Sequence, residues 1–334
     1  MDQLVSIVIP LFNEEPVVDT LYARLVQVID DQQLRAEVVL VNDGSTDRTM
    51  EKVRQICAHD PRFQVVSFSR NFGHQMAITA GIDRAIGDAV VVMDADLQDP
   101  PEVIGDMVRK WREGFAVVYG VRRERKGESY FKRATAAIFY RVLRRMTEVE
   151  MSVDAGDFRL MDRKVVDQLK LMRERFRFVR GMVSWVGFRQ GNVEYVREDR
   201  FAGETKYPLR KMVRFALDAM FSFSQVPLRL SSAVGFLSSG LAFVFMIYGL
   251  VVRAVFPEYA VPGWASIFVA LLFLGGVQLI SVGILGEYLG RIYDEVKRRP
   301  LYIADEEINF APRSHPAVPT KEGSSDPNFR VTGV

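Results

Sequence analysis

Over the first 120 residues, short apolar runs alternate with amphipathic stretches of helical period. SIVIPLF (6–12), EVVLVND (37–43), FQVVSFS (63–69), AVVVMDA (89–95) and AVVYGV (116–121) have the length and β-branched content of strands. Pro16 opens a helical stretch, VVDTLYARLVQVID, after the first run, and Gly44 with Ser45 closes the second before the next helix. This alternation predicts a parallel, doubly wound α/β sheet with helices on both faces. Ligands of such sheets collect at the carboxyl ends of the strands. The polar residues fall there: Pro10, Asn13, Glu14 and Glu15 after the first strand, then VNDGSTD, SRNFGHQ and DADLQD after the next three. Four successive polar strand ends describe a site for a polar ligand.

Downstream the pattern changes. After residue 120 it loosens into a basic stretch, RRERKGESYFKR, and residues 209–226 place basic residues among Leu, Met and Phe at helical spacing. Residues 233–252 and 264–286 contain no charge, and each is long enough to cross ~30 Å of hydrocarbon as a helix. Arg210, Lys211, Arg214 and Arg229 precede the first run; Arg291, Lys297, Arg298 and Arg299 follow the second; Arg253 is the only basic residue between. That bias places the catalytic domain and both termini on the cytoplasmic side. The layout predicted is a cytosolic domain over 1–208, an interfacial amphipathic helix lying on the lipid bilayer over 209–229, two transmembrane helices within 230–290, and a cytosolic tail over 291–334, with 312–334 disordered.

Composition narrows this little. A 334-residue chain with 49% hydrophobic and 26% charged residues is globular, and a net charge of +2 offers no ground for a nucleic-acid partner. The single cysteine, Cys57, excludes an internal disulfide and reads as structural.

Candidate chemistry centres on DADLQDPPE (94–102). In an extended segment Asp94 and Asp96 point the same way, and two converging carboxylates are best relieved by a divalent cation, Mg²⁺ or Mn²⁺. Asp99, before Pro100 and three residues ahead of Glu102, reads as a helix N-cap. Asp43 follows a strand and precedes Gly44, which suits either an Asx-turn or an acceptor for a base or ribose. Three histidines make no zinc cluster, and His74 reads as a loop hydrogen-bonder near the site.

SIVIPLFNEE, VNDGSTD, DADLQDPPE and GDFRLMDR, in that order, resemble the family-2 glycosyltransferases of the GT-A (Rossmann-like) fold. More narrowly they resemble the polyprenyl-phosphate glycosyltransferases, which include dolichyl-phosphate mannose synthases and bacterial GtrB-type glucosyltransferases. The resemblance covers roughly residues 4–230 and extends to the paired C-terminal spans. It implies a membrane-anchored, inverting hexosyltransferase of the bacterial plasma membrane, moving one sugar from a nucleotide sugar (UDP-glucose) to undecaprenyl phosphate. It places Pro10, Asn13, Glu15 and Asp43 in the nucleotide pocket, with Asp94 and Asp96 as the metal-binding pair, Asp96 the more direct ligand. Gln98 then faces the donor sugar, and Asp157 acts as base or positions the acceptor. Arg122, Lys132, Arg133 and Lys206 gather the acceptor phosphate. A homo-oligomer fits two bare spans carrying a large domain. The competing readings are a processive polysaccharide synthase, whose Q-x-x-R-W motif and extra spans this chain lacks, and a non-catalytic nucleotide-sensing scaffold.

Overall fold

A computed structural model describes residues 3–122, 155–196, 226–255 and 264–311. Its centre is an eight-stranded sheet. The strands are β1 (Leu4–Leu11), β2 (Arg35–Asn42), β3 (Phe63–Phe68), β4 (Ala89–Val92), β5 (Val117–Arg122), β6 (Ala155–Asp162), β7 (Gln190–Tyr195) and β8 (Ala304–Ile308), in the spatial order β7-β5-β6-β4-β1-β2-β3-β8. The four strands with polar ends form the parallel middle, as the alternation predicts. The sheet is nevertheless mixed. β6 runs antiparallel between β4 and β5, and β8 runs antiparallel along the outer edge of β3.

Strand periodicity divides the core into two layers. Val5, Ile7 and Ile9 of β1 face one layer with Val38, Leu40 and Val91, under α1 (Val18–Asp31), α2 (Thr49–His59) and α4 (Ile104–Arg112). Val8, Val39, Val41, Val90 and Val92 face the other, under α3 (His74–Arg84), α5 (Arg163–Leu171) and α6 (Val179–Trp185). Both faces are covered, so the strands are apolar throughout rather than alternating. α3 lies close on β1: a Cβ at Gly81 would collide with Val8 Cγ1. Cys57 is buried in the first layer, and burial pushes its thiol up to about 11, which leaves it inert, in keeping with a structural role.

Two long helices follow, α7 (Val226–Val255) and α8 (Trp264–Val296), packed against one another. Each contains an apolar stretch of spanning length, Leu228–Phe245 and Phe273–Val296, and their large apolar side chains face outward, Phe236 81% and Leu279 76% exposed. Such surface is unstable in water and suits lipid, so the chain associates with a membrane. Residues 226–229, expected at the end of an interfacial helix, form the first turn of α7; residues 209–225 and the tail 312–334 lie outside the described residues.

The rest of the expected tail is not a free appendage. The C-terminal end of α8 docks on the loop after α5: Arg175 N donates to Glu295 Oε2 at 2.9 Å, and Arg291 stacks over Phe176 at 4.6 Å. Beyond it Tyr302 stacks on Phe68 at 5.0 Å, and β8 closes the sheet edge with ion pairs Arg54–Glu306 (2.6 Å) and Arg84–Glu307. An edge strand that would invite unwanted pairing is thereby covered from within the chain.

Candidate active site

The carboxyl ends of β1 to β4 gather as the topology requires. After β1, Asn13 adopts a left-handed conformation (φ 55°) and accepts from Thr46 N at 2.8 Å, while its own N–H donates to Ser45 Oγ at 3.0 Å. Glu15 Oε2 accepts from Arg48 N at 3.2 Å and Glu15 O accepts from Lys52 Nζ at 2.9 Å. Pro10 is the penultimate residue of β1, buried behind this loop. The strand-end loops after β1 and β2 are thus stitched to one another by short polar side chains.

Asp43 is buried, and its carboxylate accepts from Phe72 N at 2.6 Å and Gly73 N at 3.0 Å. It is the β3–α3 loop that this acid holds, a local role beyond the Asx-turn or ligand acceptor foreseen from its position. Burial raises its pKa against the opposing pull of those two amides. Gly44 is at φ +67°, and a Cβ there would lie 2.5 Å from the Arg70 carbonyl carbon, so both backbone conformation and close approach demand glycine.

The centre of the site comes from β4 and β6. Their antiparallel register pairs Val92 with Arg159. Continued two residues, that register sets Asp94 beside Asp157. His74, the first residue of α3 rather than a loop residue, completes the group: its Nε2 lies 3.5 Å from Asp94 Oδ1 and 3.5 Å from Asp157 Oδ2. Ligand atoms of these three residues all lie within 4.8 Å of one another, close enough to hold a metal ion, so a histidine-containing metal-capable cluster exists where the count of histidines argued against one.

The two acids differ in kind. Asp157 is buried and gripped by cations: Arg180 Nε and Nη2 donate to its two oxygens at 2.8 and 3.0 Å, and Arg159 Nη2 donates at 3.2 Å. Burial alone would raise its pKa, but His74, Arg180 and Arg159 together hold it well below the usual carboxylate range. Asp94 has no such support. Its Oδ1 is buried with no hydrogen-bond partner among the described residues. Burial, together with the charges of Asp157, Asp99 and Asp96 and against the pull of His74, pushes it up to about 6. Burial opposes the charged form of His74, yet Asp157 and Asp94 more than offset that and raise its pKa. Arg159 is 1% exposed, and its Nη1 also lacks a hydrogen-bond partner among the described residues. Burial lowers its pKa despite Asp157.

Along the DADLQD turn, Asp94, Asp96 and Gln98 are half-buried while Met93, Ala95, Leu97 and Asp99 are buried; β4 ends at Val92, so Asp96 lies on a turn and not in the extended segment the sequence suggested. Leu97 holds φ 58°, a strained conformation for a buried leucine. Asp96 is not among the three clustered residues; its Oδ1 accepts from Gln98 N at 3.1 Å. Asp99 is not an N-cap. The following 3₁₀ turn, Pro101–Val103, is preceded by Pro100 with no side-chain cap. Asp99 is instead 2% exposed, accepts from Tyr195 Oη and faces Arg122 Nη2 at 3.7 Å. The reason is tertiary: β7 brings Tyr195 across from the turn, and a buried carboxylate is satisfied there rather than by a helix terminus. Arg122, expected at the acceptor phosphate, is held by this Asp99–Tyr195 pair, donating from Nε to Tyr195 Oη at 3.3 Å. Lys132, Arg133 and Lys206 lie outside the described residues. Arg180 carries no motif and escapes sequence reading, since only α6 packing against β6 brings it to Asp157.

An α/β sheet of this kind, with its acids at the β4 end beside the polar loops after β1 and β2, is GT-A-like. The family model of glycosyl transferase family 2 matches residues 6–170. An uncharacterized glycosyltransferase of Bacillus subtilis, YkcC, is 53% identical over 90% of this chain and 93% of its own length. The bactoprenol glucosyl transferase of Shigella phage SfII is 42% identical over 90% of this chain and 96% of its own, and an Escherichia coli prophage bactoprenol glucosyl transferase homolog 41% over 90% and 97%. The chain belongs to glycosyl transferase family 2.

Proposed function

We propose that this protein transfers one glucose from UDP-glucose to a polyprenyl phosphate, undecaprenyl phosphate in a bacterium, with inversion at the sugar. The observation that carries the reading is the 42% identity to a bactoprenol glucosyl transferase, which extends over 90% of the chain and so includes both apolar helices as well as the sheet. A catalytic domain tethered to two lipid-facing helices matches an acceptor whose tail lies in the bilayer and whose phosphate lies at its surface.

The residues present fit a divalent cation. Asp94 supplies a buried oxygen with no hydrogen-bond partner among the described residues, and Asp96 follows two residues on, half-buried in the same turn. Oxygen donors suit Mg²⁺ or Mn²⁺. Asp157 is the weaker candidate ligand, because two guanidiniums already occupy its oxygens. When bound, the cation neutralises charge on the departing nucleoside diphosphate. Asn13 and Glu15 shape the loop against which the nucleotide rests, with Pro10 and Asp43 buried behind it, and Gln98 follows the acids toward the sugar. The acceptor needs little help from a base, since a phosphate monoester with a second pKa of ~6 is largely dianionic at neutral pH. A carboxylate held well below its usual range is also a poor proton acceptor. We therefore assign Asp157 to positioning: it fixes Arg180 and His74 at the mouth of the site.

The test is transfer by purified full-length protein with Mg²⁺ or Mn²⁺, a short-chain polyprenyl phosphate and a panel of labelled nucleotide sugars. A single-sugar lipid formed from UDP-glucose, and lost on chelation of the metal, is the expected result. Long polymer, or no transfer from any donor, overturns the proposal.

A further inference from the structure

Where the end of α8 meets the catalytic domain there is a cavity of about 850 Å³, lined by Asp83, Arg84, Arg173 and Arg175 on one side and by residues 294–296, 298–302 and 304 on the other. It is separate from the candidate active site. His74 begins α3 and Arg84 ends it, so the cavity lies about 15 Å away along that helix.

Its charge is unbalanced in one direction. Each acid on the wall is already engaged. Asp83 accepts from Arg173 Nη1 at 2.8 Å and from Tyr302 Oη at 3.0 Å. Asp294 accepts from Lys297 Nζ at 3.2 Å, and Glu295 from the Arg175 backbone N–H. The guanidiniums of Arg175, Arg298 and Arg299, by contrast, have no carboxylate partner among the described residues. Arg84, its side chain nine-tenths buried, pairs with Glu307 yet leaves Nε with no acceptor among the described residues. Three uncompensated arginines and one buried, unused N–H around a cavity of this size make a receptor for a phosphate group, which arginine binds through two parallel hydrogen bonds.

Position identifies the source of that phosphate. The charge-free run of α8 ends at Gly286, and the cavity-lining residues Asp294 to Val296 and Arg298 to Leu301 begin eight residues, about 12 Å, further along the helix, so the cavity opens within reach of the headgroup layer beside the hydrocarbon. We propose that this cavity binds the phosphodiester headgroup of an anionic membrane lipid and so seats the catalytic domain on the bilayer surface. The inference rests on α8 lying in a membrane and not on the sugar-transfer reading. Clustered arginines beside a span are the recognised means of holding such headgroups.

The test uses full-length protein in a mild detergent, titrated separately with a short-chain phosphatidylglycerol, the matching phosphatidylcholine and inorganic phosphate. Bound lipid is counted by native mass spectrometry. The expected result is binding of phosphatidylglycerol roughly tenfold or more tighter than phosphatidylcholine, lost in the Arg175→Ala/Arg298→Ala/Arg299→Ala variant and partly kept when the same three become Lys. Arg298 and Arg299 are exposed, and circular dichroism of the variants controls for folding. Equal lipid binding by wild type and the alanine variant overturns the site. Phosphatidylcholine binding as tightly as phosphatidylglycerol, or inorganic phosphate competing at equal concentration, overturns the lipid assignment. Since lipid is counted directly, the result stands whether or not the same preparation transfers sugar, and the alanine variant is expected to retain its transfer rate on a water-soluble acceptor.

Discussion

At the scale of single residues, the division between Asp94 and Asp157 carries the chemistry. Asp94 titrates at about 6 and must be ionised to hold a cation. Transfer at subsaturating metal is therefore expected to fall as pH drops through about 6, and excess Mn²⁺ is expected to move that midpoint to lower pH; a flat profile from pH 5 to 8 contradicts it. Asp94→Asn should lower the rate by at least about a hundredfold while leaving the melting temperature unchanged or higher. The sign follows from burial: a raised carboxylate pKa means that the native metal-free state binds the proton more tightly, so ionised Asp94 costs stability as pH rises toward 6. Asp157 behaves oppositely. Its depressed pKa contributes stability that is present at neutral pH and lost only as pH falls below the unfolded value of about 3.9. Asp157→Ala leaves Arg159, 1% exposed, without its charge partner, and should cost about 3–5 kcal/mol in denaturant unfolding. Asp157→Asn separates positioning from base catalysis. A positioning role predicts slower transfer with the acidic limb of Asp94 kept but moved to lower pH, because the Asp157 charge no longer raises Asp94, whereas disappearance of that limb would restore the base.

At the scale of elements, the two antiparallel strands matter most. β6 enters between β4 and β5 and delivers Asp157 and Arg159 to the end of β4. GDFRLMDR was legible as a motif. Its place in the sheet was not legible, because a segment of eight residues has no mark for direction or neighbour. β8 was missed altogether: ADEEI, with three acids in five residues, has none of the composition of a strand. It pairs because its acids meet Arg54 and Arg84 across the edge of β3. Glu307→Ala is accordingly expected to destabilise the catalytic domain by about 1–3 kcal/mol, read as a lower melting temperature. An unchanged value would mean that the edge strand contributes nothing through that pair.

At the scale of the whole molecule, membrane helices and catalytic domain are one connected object. The chain leaves the sheet, runs through α7 and α8, docks Glu295 and Arg291 on the α5–α6 loop, and re-enters the sheet as β8. Membrane attachment and site geometry are thus mechanically linked. Outward-facing apolar side chains along both helices predict that the full chain sediments with membranes, resists extraction by salt or alkaline carbonate and is released by detergent. Release by high salt alone contradicts integral insertion.

The sequence by itself determined the parallel middle of the sheet, the polar strand ends, the two lipid-length helices and the acids of DADLQD, because periodicity, charge-free length and local spacing are properties of neighbouring residues. Tertiary structure decided which acids converge. Asp94 meets Asp157 and His74 through strand register and helix placement, and Asp99 turns away to Tyr195. His74 and Asp157, 83 positions apart, and Asp99 and Tyr195, 96 apart, are brought together by such pairings, and burial and charge then set proton affinities in the site. No local pattern encodes a pKa that depends on what the far end of the chain places nearby.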